Sequence, residues 1–167
     1  MSTIAVVLAD DFEDVEFSTP KAALVEAGHA VEVIGVECGV VIGRHGTEVS
    51  IDLAVADADP DDYAALLIPG GFSPDHLRTD DDLVEFVASF ARSERPIAAV
   101  CHAPSLLIEA GVVEGRTMTS WPSIRTDLTN AGAIVVDREV IVDGHFITSR
   151  NPDDLVAFST TLVDSLM

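Results

Sequence analysis

Short apolar runs alternate along the chain with longer stretches in which apolar residues recur at helical spacing. Thr3–Ala9 (TIAVVLA), Ala30–Val36 (AVEVIGV), Ala64–Gly71 (AALLIPGG) and Pro96–Val100 (PIAAV) read as strands, mostly continuous in apolar residues, as in a sheet covered on both faces. EVSIDLAV predicts a further strand at a sheet edge. Asp82–Arg92 predicts an amphipathic helix with Leu83, Phe86, Val87 and Phe90 on one side. The stretch DDFEDVEFSTPKAALVEAGHAV predicts a helix with Val15, Thr19, Ala22, Ala23 and Val25 near its apolar face. Gly28 should stop it, and Pro20 should kink it or mark a restart. Ala103–Gly111 predicts a helix closed by glycine, and another follows near Ile124–Asn130. A hairpin turning at Asp143-Gly144 and a last helix opening at Asp153 and Asp154 complete the pattern.

Strands alternating with amphipathic helices imply an α/β fold, a mostly parallel sheet with helices on both faces and one small β-hairpin, formed by a single domain over residues 1–167. In such folds ligands bind at the carboxyl ends of the strands. Three polar or reactive stretches fall there: Asp10–Glu16, Pro69–Asp75 and Cys101–His102.

Charge narrows the partners. There are 29 acidic residues against 9 basic ones, a formal net charge of −20, and Lys21 is the only lysine. Such a surface repels nucleic acid and anionic membranes. The acids are dispersed rather than gathered in a tail, which points to a protein folded in a salt-rich cytoplasm; an acidic protein of an ordinary cytoplasm is the alternative. No segment approaches the ~18 apolar residues of a membrane span, and Asp10 and Asp11 interrupt the first apolar run too early for a signal peptide, so a soluble, cytoplasmic protein is expected. Cys38 and Cys101 suggest neither a disulfide framework nor a zinc site, and the histidines show no metal-ligand spacing. No metal and no cofactor are expected.

The candidate chemistry lies at Cys101. A strand turning abruptly into a helix throws its junction residue outward over the helix N-terminus, whose partial positive charge would lower the thiol pKa. The His102 N–H and one from Gly70 or Gly71, most plainly Gly71, could hold an oxyanion there. On the residues alone, an inert cysteine in a sheet core remains the alternative.

The set FEDVEF, LIPGGFSPDHLR, AVCHAPSLLIEAGVVEGR, SWPSIRTDLTNAGA and VVDREVIVDGHFITSRNPDDLVAF resembles the PfpI branch of the ThiJ/PfpI superfamily over essentially the whole chain. The resemblance implies a flavodoxin-like three-layer sandwich and a nucleophilic cysteine, Cys101, on a strained elbow. It implies a carboxyl beside the thiol at Glu16, a base and acid at His102, and an orienting acid at Asp75 supplied by a neighbouring subunit. Gly70, Glu13 and Trp121 fall at the substrate pocket. Three positions depart from the pattern: Asp75 is one methylene shorter than the usual Glu, Ala103 replaces a glycine, and Trp121 replaces a tyrosine.

The resemblance implies a cysteine hydrolase of the peptidase type acting on small peptides. A cofactor-free glyoxalase or deglycase acting on methylglyoxal or its adducts begins with the same thiol addition to a carbonyl. A third reading is a redox sensor or stress chaperone in which Cys101 is oxidised without turnover. The expected partners are a small carbonyl or peptide substrate and further copies of the chain, as a dimer or hexamer. Nucleotide binding is disfavoured by the lack of a Gly-x-Gly-x-x-Gly loop. A class I glutamine amidotransferase would flank its cysteine with Gly-x-Cys-x-Gly, where Val100 and His102 stand instead.

Overall fold

A computed structural model describes all residues, 1–167. Its strands are β1 (Thr3–Val7), β2 (Ala30–Gly35), β3 (Gly39–Ile42), β4 (Glu48–Ile51), β5 (Leu53–Ala54), β6 (Ala65–Ile68), β7 (Ile97–Val100), β8 (Thr117–Met118), β9 (Ile134–Val135), β10 (Ile141–Asp143) and β11 (Phe146–Ser149). Its α-helices are α1 (Asp14–Glu26), α2 (Ser73–Leu77), α3 (Asp81–Arg92), α4 (Pro104–Glu109), α5 (Arg125–Asn130) and α6 (Leu155–Asp164).

Seven strands form one sheet in the order β10-β11-β7-β6-β1-β2-β5, parallel except for β10. The chain therefore builds outward from β1 in both directions, and the crevice where the direction reverses lies between β1 and β6. Alternation along each strand divides the core in two. Ala5, Val7, Leu66, Ile68, Ile97 and Ala99 face α3 and α4 through Leu83, Phe86, Phe90, Leu106 and Leu107. Ile4, Val6, Leu67, Ala98 and Val100 face α1 and α6 through Phe17, Leu24, Phe158 and Leu162. The three-layer flavodoxin-like sandwich follows from these two buried faces. No helix is long and apolar enough to cross a membrane.

Helix α1 differs from its expected packing. It passes through Pro20 without a break and buries Asp14, Glu16, Phe17, Pro20 and Leu24, while Val15 and Val25 are exposed. The small apolar residues are spread around this helix, so periodicity gives no clear inward side. The inward face opens with two carboxylates because α1 begins at the functional end of the sheet. A second departure is the hairpin of β3 and β4, which pairs separately from the main sheet. It is tied to the rest of the chain by Ile42 N–H donating to Asp10 Oδ1 (2.8 Å) and Arg44 N–H donating to the Phe12 carbonyl (3.0 Å).

Candidate active site

Cys101 follows directly on β7 with φ +62°. Side chains in this left-handed region cost roughly 1–3 kcal/mol, so the bend persists only because its backbone is fixed on both sides. The Cys101 N–H donates to the Ser149 carbonyl (3.1 Å), and the Cys101 carbonyl accepts from Trp121 N–H (2.9 Å). The elbow keeps the thiol within the core at 7% exposure.

Glu16 comes from the first turn of α1 and is fully buried. Its Oε1 accepts the Gly70 N–H at 3.0 Å. Its Oε2 is buried without a well-formed hydrogen bond, and the Cys101 thiol is its neighbour. Burial, reinforced by the Glu13 charge, pushes the Glu16 pKa up to about 8. A glycine at position 70 is what permits this meeting. A Cβ there would lie 2.5 Å from Glu16 Oε1 and 2.8 Å from both Cys101 Cβ and the Val100 carbonyl oxygen.

The thiol itself departs from expectation. Burial, and then the Glu16 charge, push Cys101 up to about 12, although the backbone N–H groups of Gly71 and His102 pull it down. Burial and Glu16 outweigh the lowering expected from a helix end, which here is that of a six-residue helix starting at Pro104. The two acids titrate as a pair. While Glu16 holds its proton, its charge no longer opposes a thiolate and its O–H can donate to one. The backbone N–H groups of Gly71 and His102, the donors expected from the sequence, act on the thiol in the direction that favours its charged form. Gly71 adopts φ +73°, and a Cβ on it would meet the Asp11 carbonyl and the Glu13 nitrogen at 2.5 Å. A bridge between Phe12 and Gly71 holds that loop against the start of α1.

His102 reaches back over the elbow, with Nδ1 3.3 Å from Cys101 Sγ. The centroids of Phe72 and Trp121 lie 6.2 and 6.0 Å from that of its ring. Burial, followed by the Arg44 charge, lowers its proton affinity, while Asp75 acts in the opposite sense. Asp75 is exposed on α2 and makes no hydrogen bond to the ring within the protomer. The second ring nitrogen, Nε2, instead lies 3.2 Å from Ser123 Oγ. Sequence reasoning missed Ser123; the SWPSI segment marked the neighbourhood but gave no reason to choose that hydroxyl.

It also missed Arg44, which the hairpin loop brings to the mouth of the site together with His45, a histidine the sequence offered as a site-rim or interface group. Both pair with Glu13, at 3.4 and 3.2 Å. Glu13, Asp14 and His45 place ligand-type atoms within 4.8 Å of one another. The cluster is internally satisfied, since the two Asp14 oxygens accept N–H groups of His45 and Thr47 at 2.9 Å. Burial works against the Asp14 charge, but these donors hold its pKa below the ordinary carboxylate value.

A model of the DJ-1/PfpI family matches residues 2–165. An uncharacterized protein of Staphylococcus saprophyticus is 47% identical over 98% of this chain and 96% of its own length. One of Staphylococcus aureus is 48% identical over 98% and 97%. Among solved structures, a two-domain protein of Anabaena variabilis with DJ-1/ThiJ/PfpI-like and ferritin-like domains superposes with a TM-score of 0.98 at 34% identity, covering 99% of this chain and 48% of that one. This chain thus spans about half of that larger protein. Drosophila melanogaster DJ-1beta superposes with a TM-score of 0.92 at 30% identity, covering 99% and 91%.

Proposed function

Because the chain belongs to the DJ-1/PfpI family, we propose that it is a cysteine-dependent enzyme of carbonyl chemistry in which Cys101 is the nucleophile. The observation that carries this reading is the set of groups around one sulfur: His102 Nδ1 at 3.3 Å, the backbone N–H groups of Gly71 and His102 that favour its charged form, and a carboxyl raised to about 8. In the first step Sγ bonds to the carbonyl carbon, the thiol proton passes to His102 Nδ1, and the carbonyl π electrons move to oxygen. The N–H groups of Gly71 and His102 hold that oxyanion. Neutral Glu16 adds an O–H donor beside the sulfur without adding charge.

The shared first step serves peptide hydrolysis and aldehyde conversion alike. With Cys101 only 7% exposed and His102 Nδ1 3.3 Å from its sulfur, the site favours a small carbonyl over a polypeptide. Methylglyoxal or its adducts therefore rank ahead of peptides as substrates. For methylglyoxal, thiol addition gives a hemithioacetal. Moving its C1 proton to C2 gives a thioester, and water releases lactate and restores the thiol. Glutathione-free lactate formation should proceed with the wild-type protein and stop in Cys101→Ala, with casein cleavage measured alongside. Lactate formation that survives the substitution removes the proposed nucleophile, and casein cleavage without lactate formation reverses the substrate ranking.

One observation favours a second reading. Glu16 Oε2 is a buried, unpartnered acid oxygen beside the thiol. It is placed to donate to a sulfinate formed when two equivalents of peroxide oxidise Cys101 and leave as water. Mass spectrometry after mild peroxide treatment should then find the two added oxygens on buried Cys101 rather than exposed Cys38. Oxidation confined to Cys38 would exclude the sensor.

A further inference from the structure

We propose that Ser123 is a positioning residue that fixes the tautomer of His102, so that the proton path from Cys101 is completed within one protomer. The inference rests on the reading of His102 as the base. It starts from the two ends of one imidazole: Nδ1 is 3.3 Å from Cys101 Sγ, and Nε2 is 3.2 Å from Ser123 Oγ. For Nδ1 to receive the thiol proton it must present a lone pair, and in a neutral ring the N–H is then on Nε2. That N–H needs an acceptor, and the Ser123 oxygen is the one in reach. A hydroxyl can donate or accept, so the tautomer is chosen at the thiol end, where donation to Nδ1 leaves the proton on Nε2, and Ser123 holds that form by accepting it.

The hydroxyl is held in place by the elbow it serves. Trp121 N–H donates to the Cys101 carbonyl at 2.9 Å, which ties the start of the Pro122–Ile124 turn to the nucleophile's own backbone. The turn closes through Ile124 N–H to the Trp121 carbonyl at 3.3 Å. Downstream, Arg125 reaches back to the Ser120 carbonyl at 3.4 Å while pairing with Asp137 at 3.1 Å. Trp121 stacks on the same imidazole at an interplanar angle of 26°. One short segment thus supplies both a wall and a hydrogen-bond acceptor for the ring. With both nitrogens engaged, a carboxylate from a neighbouring subunit would have to displace Ser123 to orient His102. The histidine therefore needs no partner chain to be held in its reactive form.

Long-range proton–nitrogen NMR on histidine-labelled protein reads the tautomer directly, and the rate of Cys101 alkylation by iodoacetamide reads its consequence. Neither measurement depends on turnover or on the identity of the substrate, so failure of the enzymatic reading is separable from failure of this one. The wild type is expected to show His102 protonated on Nε2. Ser123→Ala should give mixed tautomers and alkylate Cys101 about fivefold more slowly, the scale of one hydrogen bond. Ser123→Thr, which keeps the hydroxyl, should restore both. A wild-type ring protonated on Nδ1, or a Ser123→Ala protein whose tautomer and alkylation rate match the wild type, overturns the proposal.

Discussion

Glu16 and Cys101 lie 85 positions apart in the sequence, yet a Cβ on Gly70 would touch both, at 2.5 Å from the Glu16 oxygen and 2.8 Å from the Cys101 Cβ. A buried carboxyl and a buried thiol thus share one space, walled by a glycine that leaves room for both. Burial makes both harder to ionise, a charged Glu16 raises the thiol further, and the pair can hold one negative charge far more easily than two.

The raised Glu16 pKa has a signed consequence for stability. Its ordinary value is 4.5 and its folded value about 8. The folded protein therefore holds this proton where the unfolded chain releases it. The associated stability is fully present below about 4.5 and is lost as pH rises to about 8. At about 1.4 kcal/mol per unit, the loss is on the order of several kcal/mol. Glu16→Gln cannot titrate, so its urea midpoint should gain on the wild type between pH 5 and pH 8.5. A constant difference between the two proteins over that range would contradict a neutral Glu16.

Gly70→Ala should disable the site with a methyl group. The new Cβ would meet the Val100 backbone carbonyl at 2.8 Å as well as the two side chains, so relief requires the strand end itself to move. A destabilisation of about 1–3 kcal/mol is expected from overpacking. Displacing the sulfur from its donors should slow turnover by about a hundredfold. Chemical denaturation and lactate formation test the two effects separately.

The strain at the elbow can be released by replacing Cys101. Cys101→Gly accepts φ +62° freely, whereas Cys101→Ala keeps the penalty. The glycine variant should be more stable than the alanine variant by about 1 kcal/mol, even though glycine usually destabilises a folded chain. Neither should turn over substrate. Equal or reversed denaturation midpoints would mean that the bend carries no strain.

The charge of −20 should make folding depend on salt. Raising ionic strength from 0.1 to 1 M shortens the screening length from about 10 Å to about 3 Å. Relief of a few kcal/mol of repulsion in a domain of this size raises the melting temperature by roughly 5–10 °C. A melting temperature that is flat or falls with added sodium chloride would show that self-repulsion is not a significant cost.

Much was legible in the residues alone. The apolar runs marked the inner strands because a sheet covered on both faces buries every residue of a strand, as at Ile97–Val100. Leu83, Phe86, Val87 and Phe90 marked the buried face of α3 because large side chains repeat there at helical spacing. The junction at Cys101 was visible because a buried strand ran directly into a helical pattern. What the sequence could not reveal depended on distant segments. The inward face of α1 is set by the space beside Cys101, not by periodicity, so Glu16 is buried and Val15 exposed. Arg44 and His45 reach Glu13 only because the hairpin of β3 and β4 folds back over the site.

The sequence by itself determined the layers of the fold and the position of Cys101 at a strand–helix junction, since local spacing and burial are properties of consecutive residues. Tertiary structure alone decided that Cys101 is pushed up and not down, and that Ser123 meets the second nitrogen of His102. Proton affinity and hydrogen-bond choice depend on what surrounds a group in space, and here the surroundings come from five separate parts of the chain.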